Sequence, residues 1–221
     1  LLAARVLHRG EPAAVEVTLR RPPPLEVAMQ VQHAEAATLL TDGELRIAEA
    51  RVVDLDLHHV EPVGGDEAKA AEAGFPGLRD HPFPTCFTCG TARAEGDGLR
   101  IFPGPVHDRM AALWTPHPNL REHPGDLPEE PARVGLETAW AALDCVGGWA
   151  GDMAGRKMVL GRITAQVDAL PTVGEPHVVV GASLGQEGRK TFTASALYDR
   201  HGRIVARAQH VWIAIDPADF N

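Results

Sequence analysis

The chain has 221 residues, 44% of them hydrophobic, and a formal net charge of −9. That length can bury a sizeable core as one large domain or two small ones. The acidic balance argues against a nucleic-acid partner or an anionic membrane surface, since both favour a basic face. No apolar run reaches the length of a membrane span and no signal peptide is visible. Three cysteines, an odd number, do not form a disulfide framework, so a reducing cytoplasm is the expected home.

In chain order, Val15–Leu19 reads as a strand followed by a bend at Pro22-Pro23-Pro24. Ala37–Leu40 is a β-rich run, Thr41-Asp42-Gly43-Glu44 has hairpin-turn chemistry, and the strand from Leu45 through Arg51 follows. Pro62 to Phe83, rich in Gly, Ala, Glu and Pro, reads as a connector. Leu99–Phe102 and Met110–Trp114 predict an opening hairpin, with a Pro/His/Gly-rich loop from Thr115 to Pro131. From Arg133 to Ala150 the pattern is helical, with Leu136, Trp140, Leu143 and Gly147 on one stripe. Ile163–Val167 leads to a bend at Leu170-Pro171. Thr191–Tyr198 leads to the turn Asp199-Arg200-His201-Gly202, and the last strand follows.

The two hairpins resemble each other. Leu45-Arg46-Ile47-Ala48-Glu49-Ala50-Arg51 parallels Gly202-Arg203-Ile204-Val205-Ala206-Arg207-Ala208, each just after its turn. Each half therefore reads as a strand, a Pro-marked bend, a further strand and a long hairpin. On this plan Leu1–Leu7 is the tail of a first helix, whose opening strands are expected upstream of Leu1. In the last strand Ile204, Ala206, Ala208, His210 and Trp212 fall on one face, mostly small, as suits a strand lying on a helix. The corresponding first-half strand is less clean, because Glu49 and Arg51 share a face with Ile47 and Val53.

Asp144 places one carboxylate inside the otherwise apolar helix, where its charge is costly unless it is paired or faces a wet cleft. General bases are found at such positions, though an Asp satisfied by amides or an Arg fits the same pattern. Glu137 lies two turns earlier, about 10 Å away by helical rise. It is too far to share a proton and suits a helix N-terminal charge. Cys86 and Cys89 have the spacing of half a metal site. A structural zinc wants four ligands, no second Cys pair exists, and the spacing of His81, His107, His117 and His123 matches no standard finger. No metal is expected, and Cys145 reads as a small apolar filler rather than a nucleophile. No Gly-rich phosphate loop of the dinucleotide or Walker type is present, and no cofactor is expected.

Cys86-Phe87-Thr88-Cys89-Gly90 followed by Gly98-Leu99-Arg100-Ile101, together with Ala142-Leu143-Asp144 and Gly147-Gly148, resembles the hotdog-fold acyl-CoA thioesterases of phenylacetate and type II kinds. Pro82 to Ile215 carries the likeness; the N-terminal half fits by its strands alone. The resemblance implies an α+β double hotdog, with antiparallel sheets each curled around a long central helix and the first copy truncated. Residues 1–80 would form the N-terminal half with its linker and residues 81–221 the C-terminal half. It further implies an acyl-CoA or acyl-carrier thioester held in a cleft between the halves. Asp144 would serve as general base or nucleophile, with Gln209 or His210 near the place of the family's water-holding Gln. Gly147 and Gly148 would admit substrate, although tight helix packing explains them equally well. Arg156-Lys157 and Arg189-Lys190 would meet phosphates. A non-catalytic acyl-CoA or lipid-like binding protein and a hydratase or dehydratase of the same fold are the alternatives. Exposed sheet edges make a homodimer reasonable.

Overall fold

The computed structural model describes residues 13–122 and 131–216. The expected first-helix tail, Leu1–Leu7, lies outside them. The strands are β1 (Ala14–Leu19), β2 (Gln30–His33), β3 (Thr38–Asp42), β4 (Leu45–Val53), β5 (Gly104–Val106), β6 (Arg109–Trp114), β7 (Met158–Val167), β8 (His177–Glu187), β9 (Lys190–Tyr198) and β10 (Ile204–Ala214). Among the described residues two α-helices accompany them, α1 (Gly65–Ala71) and α2 (Leu136–Ala150).

All ten strands form one antiparallel sheet in the order β2-β3-β4-β1-β7-β10-β9-β8-β6-β5. The order mirrors itself about the β1–β7 seam, where Val15 faces Ala165 and Val17 faces Ile163. Outward from that seam run β4, β3, β2 on one side and β10, β9, β8 on the other. The large antiparallel sheet with few helices is the α+β build expected of a hotdog fold.

Helix α2 lies on one face of the sheet. Ala139, Ala142, Leu143 and Val146 are completely buried against Val179, Leu197, Ala206 and Ala208. Burying a large aliphatic such as Leu143 contributes roughly 1.5–3 kcal/mol, and the small residues of β10 let the helix approach. The helix starts at Leu136, three residues later than the pattern predicts. The backbone of Arg133 bridges to Thr172 and that of Val134 to Arg121, with the Val134 N–H on the Pro171 carbonyl at 3.0 Å.

The opposite face of the sheet has its own cover. Val60, Val63 and Ala68 pack on Val178, Val180, Ala194, Ala196 and Tyr198, and the Tyr198 hydroxyl donates to the Val60 carbonyl. The Pro62–Phe83 connector therefore contains α1 and roofs strands of the C-terminal half. Leu99–Phe102 is not a strand, contrary to its apolar pattern. The N–H groups of Leu99 and Ile101 bond to the carbonyls of Phe87 (2.8 Å) and Thr88 (2.9 Å), and Arg100 adopts φ 53°, so the edge strand opens after Pro103 as β5. In β10 a register shift between Ile204 and Ala206 turns Ile204 to the α1 side, while Val205 and Ala206 join the α2 core.

The mixed face of β4 is accounted for by ion pairs. Glu16 on β1 accepts two hydrogen bonds from Arg51 at 3.0 and 2.7 Å and lies 3.5 Å from Arg162. Glu49 accepts from Arg46 at 2.9 Å. Glu49 and Arg51 occupy the face of β4 opposite Ala50, which joins the α2 core, and Glu16 on β1 pairs with Arg51.

Candidate functional site

Asp144 lies midway along α2. At 100° per residue its side chain leaves the helix about a quarter turn from the sheet-facing pair Leu143 and Gly147. It points toward the segment carrying Cys86 and Cys89, which crosses α2 and is fastened there by Thr88 Oγ1 donating to the Ala141 carbonyl at 3.0 Å. The carboxylate is half-buried, yet its Oδ1 is fully enclosed and has no hydrogen-bond partner. Burial, with the Cys86 thiol as a second cause, pushes its pKa up to about 7. A buried acceptor without a donor costs roughly 1–3 kcal/mol, and a carboxyl poised near neutrality is what proton transfer needs.

His210 projects from β10 beneath the same helix and is 2% exposed. Its Nδ1 is 3.3 Å from Thr193 Oγ1, and its Nε2 is enclosed without a partner. Burial pushes its pKa down to about 4, so the ring is neutral. No hydrogen bond joins His210 to Asp144 among the described residues; the helix backbone at Leu143 and Gly147 rests on the imidazole instead. Gln209, the next residue, points to the far face of the sheet, where Thr164 and Ala194 flank it.

Gly147 and Gly148 lie in close contact with the side chains beneath and beside the helix. A Cβ on Gly147 would lie 2.7 Å from Thr193 Oγ1 and 2.8 Å from His210 Nδ1. One on Gly148 would lie 2.4 Å from Met153 Cε. Glu137 is exposed in the first turn of α2, as a helix N-terminal charge should be.

The two basic pairs meet at one end of the sheet. Arg156 donates to the Gly188 carbonyl at 2.6 Å, and Arg189 donates twice to the Ala214 carbonyl, at 3.2 and 3.1 Å. The Ile215 N–H closes the group on the Lys157 carbonyl at 3.0 Å. Arg156 Nη2 and the Arg189 guanidinium are thus committed to backbone, Arg156 Nη1 is enclosed without a partner, and Lys157 and Lys190 are exposed.

The sequence reading missed a polar row under α2. Thr191, Thr193 and Ser195 alternate along β9, are all nearly or completely buried, and face the helix. Ser195 donates to the Leu143 carbonyl at 2.8 Å, and Trp212 Nε1 donates to Thr193 Oγ1 at 3.0 Å. Hydroxyls at every second position opposite His210 were the available signal. Cys145, on α2 beside Asp144, faces the other two cysteines, its sulfur 3.5 Å from that of Cys86.

No family model and no curated protein matches the chain. Among solved structures, a TesB protein of Mycobacterium avium subs paratuberculosis superposes with a TM-score of 0.58 at 12% identity, over 97% of this chain and 82% of its own. A Streptococcus mutans protein bound to acetyl CoA aligns at TM-score 0.43 and 9% identity, over 49% of this chain and 82% of its own. A hypothetical thioesterase of Streptococcus pneumoniae TIGR4 with coenzyme A aligns at 0.44 and 10%, over 51% and 84%. The first of these spans nearly the whole chain. The likeness to it is one of fold.

Proposed function

We propose that the protein hydrolyses an acyl thioester, with coenzyme A or an acyl-carrier protein as the carried group, and that Asp144 is its general base or nucleophile. The observation that carries this reading is the enclosed, partnerless Oδ1 of Asp144 on the central helix of a thioesterase-type fold. As a base, Asp144 takes a proton from a water that attacks the thioester carbonyl, and the thiolate leaves. As a nucleophile, it forms an acyl anhydride that water then opens. Both routes leave a carboxylic acid and a free thiol.

The mirrored strand order supports a double hotdog, residues 1–80 and 81–221, with the acyl chain held between the halves. Val15, Val17 and Ala50 of the first half pack into the same core as α2, which brings that half up to the helix. The basic end formed by Arg156, Lys157, Arg189 and Lys190 suits phosphates of the carrier, with Lys157 and Lys190 as the free cations. His210 and Gln209 then shape the floor and the far face of the sheet rather than share a proton with Asp144. A hydratase reading, which wants an Asp–His pair about a substrate α-carbon, loses its histidine on this geometry. A cytoplasmic homodimer remains part of the proposal.

The test is hydrolysis of short, long and aryl acyl-CoAs by the full chain, followed by loss of thioester absorbance so that the protein's own thiols do not interfere. Turnover of at least one class supports the reading. Acyl-CoA binding without turnover would make the protein a carrier or sensor and withdraw the role of Asp144.

A further inference from the structure

The three cysteines, which the proposed hydrolysis does not use, converge from distant parts of the chain. Their sulfur atoms lie within 4.8 Å of one another, and Cys86 and Cys145 are 3.5 Å apart. A tetrahedral zinc with Zn–S bonds of about 2.3 Å sets its sulfurs about 3.8 Å apart, so the three thiols already stand at the spacing of one face of such a site. Nothing in simple packing requires all three sulfurs to point at one another.

The local backbone has the form of a metal-binding knuckle. The Gly90 N–H closes the turn on the Cys86 carbonyl at 2.9 Å. A Cβ at Gly90 would fall 2.4 Å from that carbonyl oxygen and 2.6 Å from that of Pro84, so only glycine lets the chain wind this tightly. The indole N–H of Trp149 is enclosed and has no hydrogen-bond partner. Asp144 Oδ1, next to Cys145 in the chain, is a further enclosed acceptor without a donor.

We propose that Cys86, Cys89 and Cys145 together bind a thiophilic divalent cation, zinc by the donor set, with a water in the fourth position donating to Asp144. The spacing of Cys86 and Cys89 alone supplies half a site, and the expectation of no metal rested on the missing second pair. Helix α2 provides the third ligand from 56 residues further on. Binding releases the thiol protons to solvent and pins the 84–102 segment to α2, which the Thr88 hydroxyl and the Cys86–Cys145 thiol contact join to that turn by side-chain hydrogen bonds. The proposal stands apart from the thioesterase reading: it needs no turnover.

The experiment is cobalt(II) titration of the reduced, metal-free full chain. One equivalent should produce thiolate-to-cobalt charge transfer with tetrahedral visible bands, and zinc should displace it. Cys86→Ser should weaken uptake at least roughly a hundredfold, in keeping with loss of a thiolate ligand. Because Cys86 is half-buried on a surface segment, that variant tests the site even if Cys145→Ser fails to fold. Zinc should also slow alkylation of Cys86 in the wild type more than tenfold. Absence of charge transfer with alkylation unchanged by zinc overturns the proposal. So does an octahedral cobalt spectrum indifferent to Cys86→Ser, or a Cys86–Cys145 disulfide whose reduction restores no metal uptake.

Discussion

Two carboxylates, one in each half of the protein, are treated in opposite ways. Glu16, on β1 of the N-terminal half, takes two hydrogen bonds from Arg51 and a further ion-pair contact from Arg162. Asp144, on α2 of the C-terminal half, keeps an enclosed oxygen with nothing to accept from. A buried charge that is paired is part of the scaffold, whereas one left unpaired is tolerated at a cost that packing elsewhere must offset. The surroundings differ in the same sense. The C-terminal half is covered by α2 on one face and α1 on the other. Among the described residues, six of the ten exposed large hydrophobic side chains, Leu19, Leu25, Val27, Leu45, Val52 and Leu55, lie before the Pro62–Phe83 connector. The well-packed half can carry a strained group; the thinly covered half spends its charges on holding strands together.

The sharpest test of that contrast on the stability side is His210, enclosed on the same side as α2. With a pKa of about 4 when folded against 6.5 when unfolded, the neutral ring favours the folded state fully above pH 6.5. As pH falls, the unfolded chain takes up a proton that the folded chain refuses. Stability is therefore lost from pH 6.5 down to about 4, by about 3 kcal/mol at 1.36 kcal/mol per pH unit. Urea unfolding across that range should show the loss in the wild type and a flatter profile in His210→Gln. Equal slopes would mean that the imidazole is not neutral in the fold.

Gly147→Ala attacks the same packing from the helix side. Its Cβ would press on Thr193 Oγ1 and His210 Nδ1, both held by β9 and β10. Stability should fall by about 2 kcal/mol, the scale of an overpacked core. A neutral result in chemical denaturation would show that α2 can lift from the sheet, and hence that the helix is less tightly fixed than the contrast requires. Glu16→Gln should have the smallest effect, about 1 kcal/mol of stability, because Arg51 and Arg162 are themselves largely exposed. Thioester turnover should stay within about twofold of wild type. A large loss of turnover would erase the distinction between the scaffold carboxylate and the poised one.

Much of this was legible along the chain because it depends on local period. The apolar helix, the long hairpin of β9 and β10, and the alternation that sends Ala206, Ala208 and His210 toward α2 all follow from side-chain direction. So does the parallel between Leu45–Arg51 and Gly202–Ala208, which emerges as the mirror order about β1 and β7. The failures involve distant partners. Leu99–Phe102 has strand composition, but its amides bond the cysteine turn. β2 is four mostly exposed residues without an apolar face. Glu49 and Arg51 disturb a strand pattern until the arginines and Glu16 across the sheet are known. Asp144 stood out as an acid in an apolar run, yet its separation from His210 and the meeting of Cys145 with Cys86 depend on rotation about a helix and on a contact 59 residues away.

The central claim is that the unpartnered carboxylate does the chemistry. The measurement that tests it most directly is Asp144→Asn, compared with wild type for both acyl-CoA hydrolysis rate and acyl-CoA affinity in the same preparation. The isosteric change should cut turnover at least roughly a hundredfold, the scale of a lost general base, while affinity stays within a few-fold. Turnover that survives the substitution at close to the wild-type rate would contradict the account and move the reacting group elsewhere in the fold.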